Sequence, residues 1–205
     1  MLQLLVFSAA VLALPSGQFE TLEARNGAHV LVRQGAVPRV SVLRGDPRCV
    51  TVSSGAGDRL VIDKSGHDCR RGERVQIEVI VRHLSAAAVS NGGSLRTLDA
   101  FPDEKSIDAH VEHGGTLDVR SLAADRVAAS VSSGGRILTA PRKTLEASVE
   151  SGGIILYWGD AAVKQSVSHG GVVARGTAEE AEKASSELEG VVAPIPPIPP
   201  VPRHH

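Results

Sequence analysis

Aromatic side chains are nearly missing from this sequence of 205 residues, which has three Phe, one Tyr and one Trp. Hydrophobic residues still reach 42%, so Val, Ala, Ile and Leu must fill the core, which suits a narrow interior better than a thick one. Platforms for stacking bases are missing with the aromatics. A charge excess is missing too: 22 Lys and Arg stand against 23 Asp and Glu, and no large net field draws in nucleic acid or anionic lipid. Both absences argue against nucleic-acid binding. Cysteine is limited to Cys49 and Cys69. The opening apolar run, "MLQLLVFSAAVLAL", falls short of the roughly 20 residues that span a bilayer.

That run has the character of an export leader. Val11 and Ala13 fit the small-residue positions of a signal-peptidase site, so residues 1–13 read as a signal peptide with cleavage before Leu14, and no membrane span remains afterwards. The n-region of this leader carries no Lys or Arg. The alternatives are a buried first strand of a cytosolic protein, or a true start further upstream. Export places Cys49 and Cys69 in an oxidising compartment, where two cysteines pair. Such a bridge would stabilise the fold by roughly 3 kcal/mol; the alternative is two unpaired thiols. Two thiols alone do not complete a tetrahedral metal shell.

What the chain has in quantity is a repeated corner. "VSNGG", "VEHGG", "VSSGG", "VESGG" and "VSHGG" place glycine pairs at Gly92-Gly93, Gly114-Gly115, Gly134-Gly135, Gly152-Gly153 and Gly170-Gly171. Successive pairs begin 22, 20, 18 and 18 residues apart, and a period near twenty means one supersecondary unit stacked on the next. Aligned on the glycines, Val89, Val111, Val131, Val149 and Val167 form one column. Ala87, Ala109, Ala129 and Ala147 form another, which Gln165 breaks. Leu95, Leu117, Ile137, Ile155 and Val173 follow the corner. Between the apolar columns runs Ala88, His110, Ser130, Ser148 and Ser166. This period-two alternation is the strand signature. The fold class is therefore all-β: a parallel β-helix, or β-solenoid, with glycine-rich corners that supply positive φ or close backbone approach.

Asn91, His113, Ser133, Ser151 and His169 precede the glycines and are expected to form a hydrogen-bonded ladder along the corner. His113 and His169 lie three coils apart, roughly 14 Å, too far to share a metal. His110 and His113 should face opposite ways. No metal site emerges, and no cofactor is implied.

Residues 14–83 carry weaker strand patterns, including a partial corner at "VSSGAG". They are read as an N-terminal β segment that caps the coils of residues 84–176. Beyond Gly176, Thr177 and Glu180 form a capping-box pair. Residues 177–205 thus comprise a short helix over about 178–188 covering the last coil, or a solvated acidic linker, followed by a Pro-rich tail. The tail "APIPPIPPVPRHH" is expected to be polyproline II, with Ile195, Ile198 and Val201 on one edge. That edge is either a docking strip for a partner or part of a spacer.

The stretches "FETLEARNGAHVLVRQG", the run of glycine corners and "LYWGDAAVKQSVSHGGVVARG" resemble the "putative auto-transporter adhesin head GIN domain", a bacterial family of largely unknown function. The likeness covers about residues 19–176. It implies an exported, right-handed β-solenoid and supplies no catalytic residues. Many members place a small residue between two corner glycines, a form kept here only at Gly55-Ala56-Gly57.

Three other roles compete with a plain interaction module. An enzyme needs groups from adjacent coils converging on one groove, whereas Asp108, Glu146 and Lys164 share one outward column and Glu112 and Glu150 another. Glu112 and Glu150 would lie about 9.6 Å apart, near an inverting glycosidase spacing, but as exposed acids on a regular face. A carbohydrate-binding module has only Tyr157 and Trp158 as platforms, and Trp158 is expected to close the terminal coil instead. A self-assembling envelope scaffold would grow through open strand edges. The reading preferred is a non-enzymatic interaction or structural module of the cell envelope, adhesin-like, at the periplasm or cell surface. Its partner is an unspecified envelope or surface protein or glycan, and its oligomeric state is open.

Overall fold

The computed structural model describes residues 10–15, 17–65, 69, 73–101 and 104–189, with backbone alone for 184–189. In chain order the strands are β1 (Ala10–Leu12), β2 (Thr21–Arg25), β3 (His29–Gln34), β4 (Arg39–Arg44), β5 (Thr51–Ser54) and β6 (Arg59–Asp63). Next come β7 (Gln76–Val81), β8 (Ala86–Ser90), β9 (Ser94–Thr97), β10 (Ser106–Glu112), β11 (Thr116–Asp118) and β12 (Arg126–Ser132). The last are β13 (Arg136–Thr139), β14 (Thr144–Glu150), β15 (Ile154–Tyr157), β16 (Ala162–Val167) and β17 (Val172–Arg175), followed by the helix α1 (Ala178–Glu189).

Among the described residues these strands form two large mixed sheets. One has nine strands in the order β1-β4-β7-β3-β9-β11-β13-β15-β17; the other has eight, β16-β14-β12-β10-β8-β2-β6-β5. From β8 onward the chain alternates between sheets, and each strand lies parallel to its equivalent one repeat away. Val89, Val111, Val131, Val149 and Val167 align in register, as do Ala87, Ala109, Ala129, Ala147 and Gln165. Strands β10 and β14 alternate exposed and buried residues without a break. Their inward residues join Leu95, Leu117, Ile137 and Ile155 in one core between the sheets. The alternation read from the sequence is therefore physical: in β10 and β14 one face excludes water and the other meets it.

The corner has one conformation in its first four copies, and the fifth departs from it only at its second glycine, Gly171, which lacks the positive φ of Gly93, Gly115, Gly135 and Gly153. The residue before each glycine pair is left-handed, with φ of 56° at Asn91, 55° at His113, 57° at Ser133 and 50° at Ser151 and His169. Of the residues that take it, Asn accepts this conformation most readily. At Gly134 (φ 86°) an added Cβ would meet open space, whereas at Gly135 (φ 101°) it would lie 2.5 Å from Val111 Cγ1 and 3.1 Å from the Gly115 carbonyl oxygen. The first glycine turns the chain; the second lets one corner sit on the previous one.

The N-terminal part does not stack in chain order. β2 and β3 lie between β6–β7 and β8–β9, parallel to both. Their corner, Asn26-Gly27-Ala28, repeats the left-handed turn with φ of 55° and 80° at its first two residues. Beyond β6–β7 the chain reverses: β4 runs antiparallel to β7, β1 to β4, and β5 to β6. A disulfide joins Cys49, at the end of a 3-10 turn (Pro47–Cys49), to Cys69 in the β6–β7 connection. Of the proposed leader, residues 1–9 lie outside the described residues, and Ala10–Leu12 forms the short edge strand β1.

α1 starts with the expected capping box: Glu180 N–H donates to Thr177 Oγ1 at 3.2 Å, and Thr177 N–H donates to Glu180 Oε2 at 2.8 Å. Its position corrects the expectation that it covers the last coil. Arg120, just after β11, donates from Nη1 to the Ala181 carbonyl at 3.2 Å, and Trp158 Nε1 donates to the Thr177 carbonyl at 3.1 Å. These bonds fasten α1 beside the ends of β11 and β15. Val167 and Val172, in the last strands, remain 42% and 46% exposed.

Candidate functional site

The outward columns of β10, β12, β14 and β16 enclose an open groove of about 420 Å³. Its floor is built from Ala128 and from Ser130, Ser148 and Ser166, three serines whose strands are successive neighbours in the sheet. Asp108, Glu146 and Lys164 stand in the neighbouring column, and His110 fills the place next to Ser130. Register explains the arrangement: each of these residues is next to an inward Val, Ala or Ile or to Gln165 of the same column, so the sequence pattern that buries the core also exposes the groove. Asp108 and Glu146 are separated by the strand that carries Ala128, and Glu112 and Glu150 by the strand that carries Ser132. The carboxylates are thus spread along the face rather than gathered on one point. Such a surface can hydrogen-bond a partner and set charge against it.

One carboxylate on this sheet is buried. Glu23 on β2, aligned with Ala88 and hence with His110, is 7% exposed. Arg25 donates to it from Nε at 2.6 Å and Nη2 at 2.9 Å, Arg59 Nη1 at 3.4 Å, and Ser90 Oγ at 3.3 Å. Burial alone pushes this carboxyl upward, but the hydrogen bond and charge of Arg25, the charge of Arg59 and the Ser90 hydroxyl together bring it below the ordinary Glu value. Glu23 is a charged anchor for β2, not a proton donor near neutrality. At the adjoining corner, Asn91 Nδ2 donates to Asn26 Oδ1 at 3.3 Å and Asn26 Nδ2 to Asp63 Oδ1 at 2.8 Å. Among the described residues the expected corner ladder of side chains is confined to this end. Further along, backbone bonds such as His113 N–H to the Ser132 carbonyl hold the corners together.

Trp158 serves the stack. The Arg120 guanidinium lies 5.0 Å from the centre of its ring, while Arg120 also pairs with Asp118, 3% exposed, through Nε at 2.9 Å and Nη2 at 2.7 Å. The Asp118 hydrogen bond raises the Arg120 pKa against the opposing effect of burial. Tryptophan, arginine and helix form one clamp. At the opposite end the Glu73 carboxylate stands 3.7 Å from the Cys49 sulfur. With Cys49 and Cys69 bonded to each other, this trio offers no pair of thiolates to a metal. The proposed docking residues Ile195, Ile198 and Val201 lie outside the described residues.

Glu23 and its arginines are not marked in the sequence because "TLEARNGA" ends in Asn26-Gly27-Ala28 rather than a glycine pair. Aligning that corner with Asn91-Gly92-Gly93 would have placed Glu23 in the column of Ala88 and His110.

Residues 103–161 match the family model described as "Putative auto-transporter adhesin, head GIN domain". The GIN match runs from just before β10 to just beyond β15, and so contains most of the groove. No curated protein matches the chain. Solved structures similar to it include a "putative adhesin" from Bacteroides fragilis NCTC 9343, 14% identical, covering 83% of this chain and 97% of that one with a TM-score of 0.41. A "Putative lipid binding protein" from Parabacteroides distasonis ATCC 8503 is 13% identical over 83% and 96%, with a TM-score of 0.36. A "putative cell adhesion protein" from Clostridium sporogenes ATCC 15579 is 10% identical over 82% and 98%, at 0.33. At these identities and scores the structural likenesses carry no argument beside the residues themselves.

Proposed function

We propose that the chain winds as a right-handed parallel β-solenoid and serves as a non-enzymatic, exported interaction or structural module of the cell envelope, adhesin-like in engaging a protein or glycan. In this reading residues 1–13 are the leader, 14–83 the cap, 84–176 the coils and 177–205 the helix with its Pro-rich tail. Parallel register from β8 to β17 supports the winding. The Cys49–Cys69 bridge supports an oxidising destination. The GIN-family match supports the adhesin-like role.

The observation that carries the functional reading is the groove across β10, β12, β14 and β16. It has a smooth floor of Ala and Ser and dispersed charges, the character of a recognition face rather than a reaction centre. The test is in-cell cross-linking with fractionation, comparing wild type with Ser130→Arg/Ser148→Arg. A specific partner in an envelope fraction, cross-linked by wild type and lost from the double variant, is the expected result. Equal cross-linking by both proteins, or turnover of an envelope polysaccharide by the wild type, overturns the reading.

A further inference from the structure

The two ends of the stack differ in kind. At the N-terminal end the outermost strands β1 and β5 run antiparallel to their neighbours, and Cys49–Cys69 ties the region together. At the other end β16 and β17 are the last strands of their sheets, each paired on one side only. Val163, Gln165 and Val167 continue the inward columns of β14, and Val173 continues that of β15. Val167 and Val172 are two of the four exposed large hydrophobics among the described residues. An end with two open parallel edges and an apolar centre is a template for further pairing.

We propose that this end pairs with the same end of a second copy, giving a two-fold dimer that goes no further. Consider a two-fold axis through Gln165 and Val173, perpendicular to the stacking direction. It sets β16 antiparallel to β16 of the copy and β17 antiparallel to its β17, so both edges close together. Val163 then faces Val167 of the copy, Gln165 faces its own equivalent and Val173 faces Val173, each pair directed inward. The break in the alanine column thus acquires a role: two Gln165 amides can hydrogen-bond to each other where the stacks meet. Charge is compatible, because Lys164, the one charged residue of β16, stands opposite Ser166 of the copy, while Arg175 is paired with Asp160 at 3.0 Å.

The remaining chain is a poorer occupant. Beyond Gly190 it contains Pro194, Pro196, Pro197, Pro199, Pro200 and Pro202, which have no N–H to give a strand edge. The N-terminal end, with short strands of reversed direction, does not match β16 and β17, so growth stops at the dimer. The inference rests on the open end and not on the groove, and either can fail alone.

Sedimentation equilibrium on the full chain, from about 1 to 200 μM to suit a small interface, is the test. Wild type is expected to reach a dimer and nothing larger. Val167→Lys, which places like charges at the edges, should weaken association about tenfold or more with an unchanged circular-dichroism spectrum. Under mild oxidation Gln165→Cys should form one cross-linked dimer, whereas Ser130→Cys should not. Deletion of residues 191–205 should leave the dimer intact. A wild-type monomer throughout the range, species beyond the dimer, failure of Gln165→Cys to cross-link, or dimers that appear only after the tail is deleted would each overturn the proposal. The last outcome would make the tail the occupant.

Discussion

At the scale of single residues, two adjacent glycines do different work. Gly134 needs only a left-handed backbone, so Gly134→Asn should cost about 1 kcal/mol or less. Gly135 has no room for a methyl group beside Val111 and the Gly115 carbonyl. Gly135→Ala should therefore cost roughly 2–5 kcal/mol from strain and overpacking together. Chemical denaturation of the two variants checks the difference. Glu23 carries a second residue-scale prediction. Its folded pKa lies below the unfolded value, so its contribution is complete above about pH 4.3 and fades as acid protonates the folded carboxylate. Glu23→Gln should lower the melting temperature at pH 7 and flatten the acid side of the stability profile. The glycine pairs were legible in the sequence because they recur; their division of labour was not, since it depends on what the previous corner places above each Cα.

At the scale of elements, the strands from β8 onward were legible as columns of Val and Ala, because one buried face imposes period two on every repeat. The insertion of β2–β3 between later strands was not. Its neighbours in space are distant in sequence, with Thr21 aligned to Arg59 on one side and Ala86 on the other. The helix start was written in Thr177 and Glu180, but its docking depends on Arg120, outside the helix. Arg120→Ala would leave Asp118 buried with its closest cation removed, a loss of about 3 kcal/mol, and would take from α1 the bond to Ala181 while the Trp158 bond to Thr177 stays. Because Trp158 is the sole tryptophan, its fluorescence should shift in this variant at temperatures where the strands remain folded. The disulfide belongs to the same scale. Cys49→Ala/Cys69→Ala should destabilise the chain by about 3 kcal/mol when its chemical denaturation is compared with that of the oxidised wild type.

At the scale of the whole molecule, one rule joins the core to the candidate site: residues of a repeat alternate inward and outward, and equivalent residues stack in register. The groove follows from that rule, since half-buried Ser130 and exposed Ser148 face outward for the reason that Val131 and Val149 are buried. Its location was implicit in the serine column, but its volume was not, because that depends on how the neighbouring Asp108, Glu146 and Lys164 side chains stand along it. The partner was not legible at all, for a floor of small hydroxyls specifies no single ligand. The rule itself is open to one direct measurement, paired thermal and denaturant melts of Val131→Asp and Ser130→Asp. Val131 is 1% exposed, and an aspartate there would place an unpaired charge inside the core, so the variant should largely fail to fold. Ser130→Asp, one residue away on the open face, should melt within about 1 kcal/mol of wild type. Equal loss in the two variants, or equal tolerance, would contradict the account.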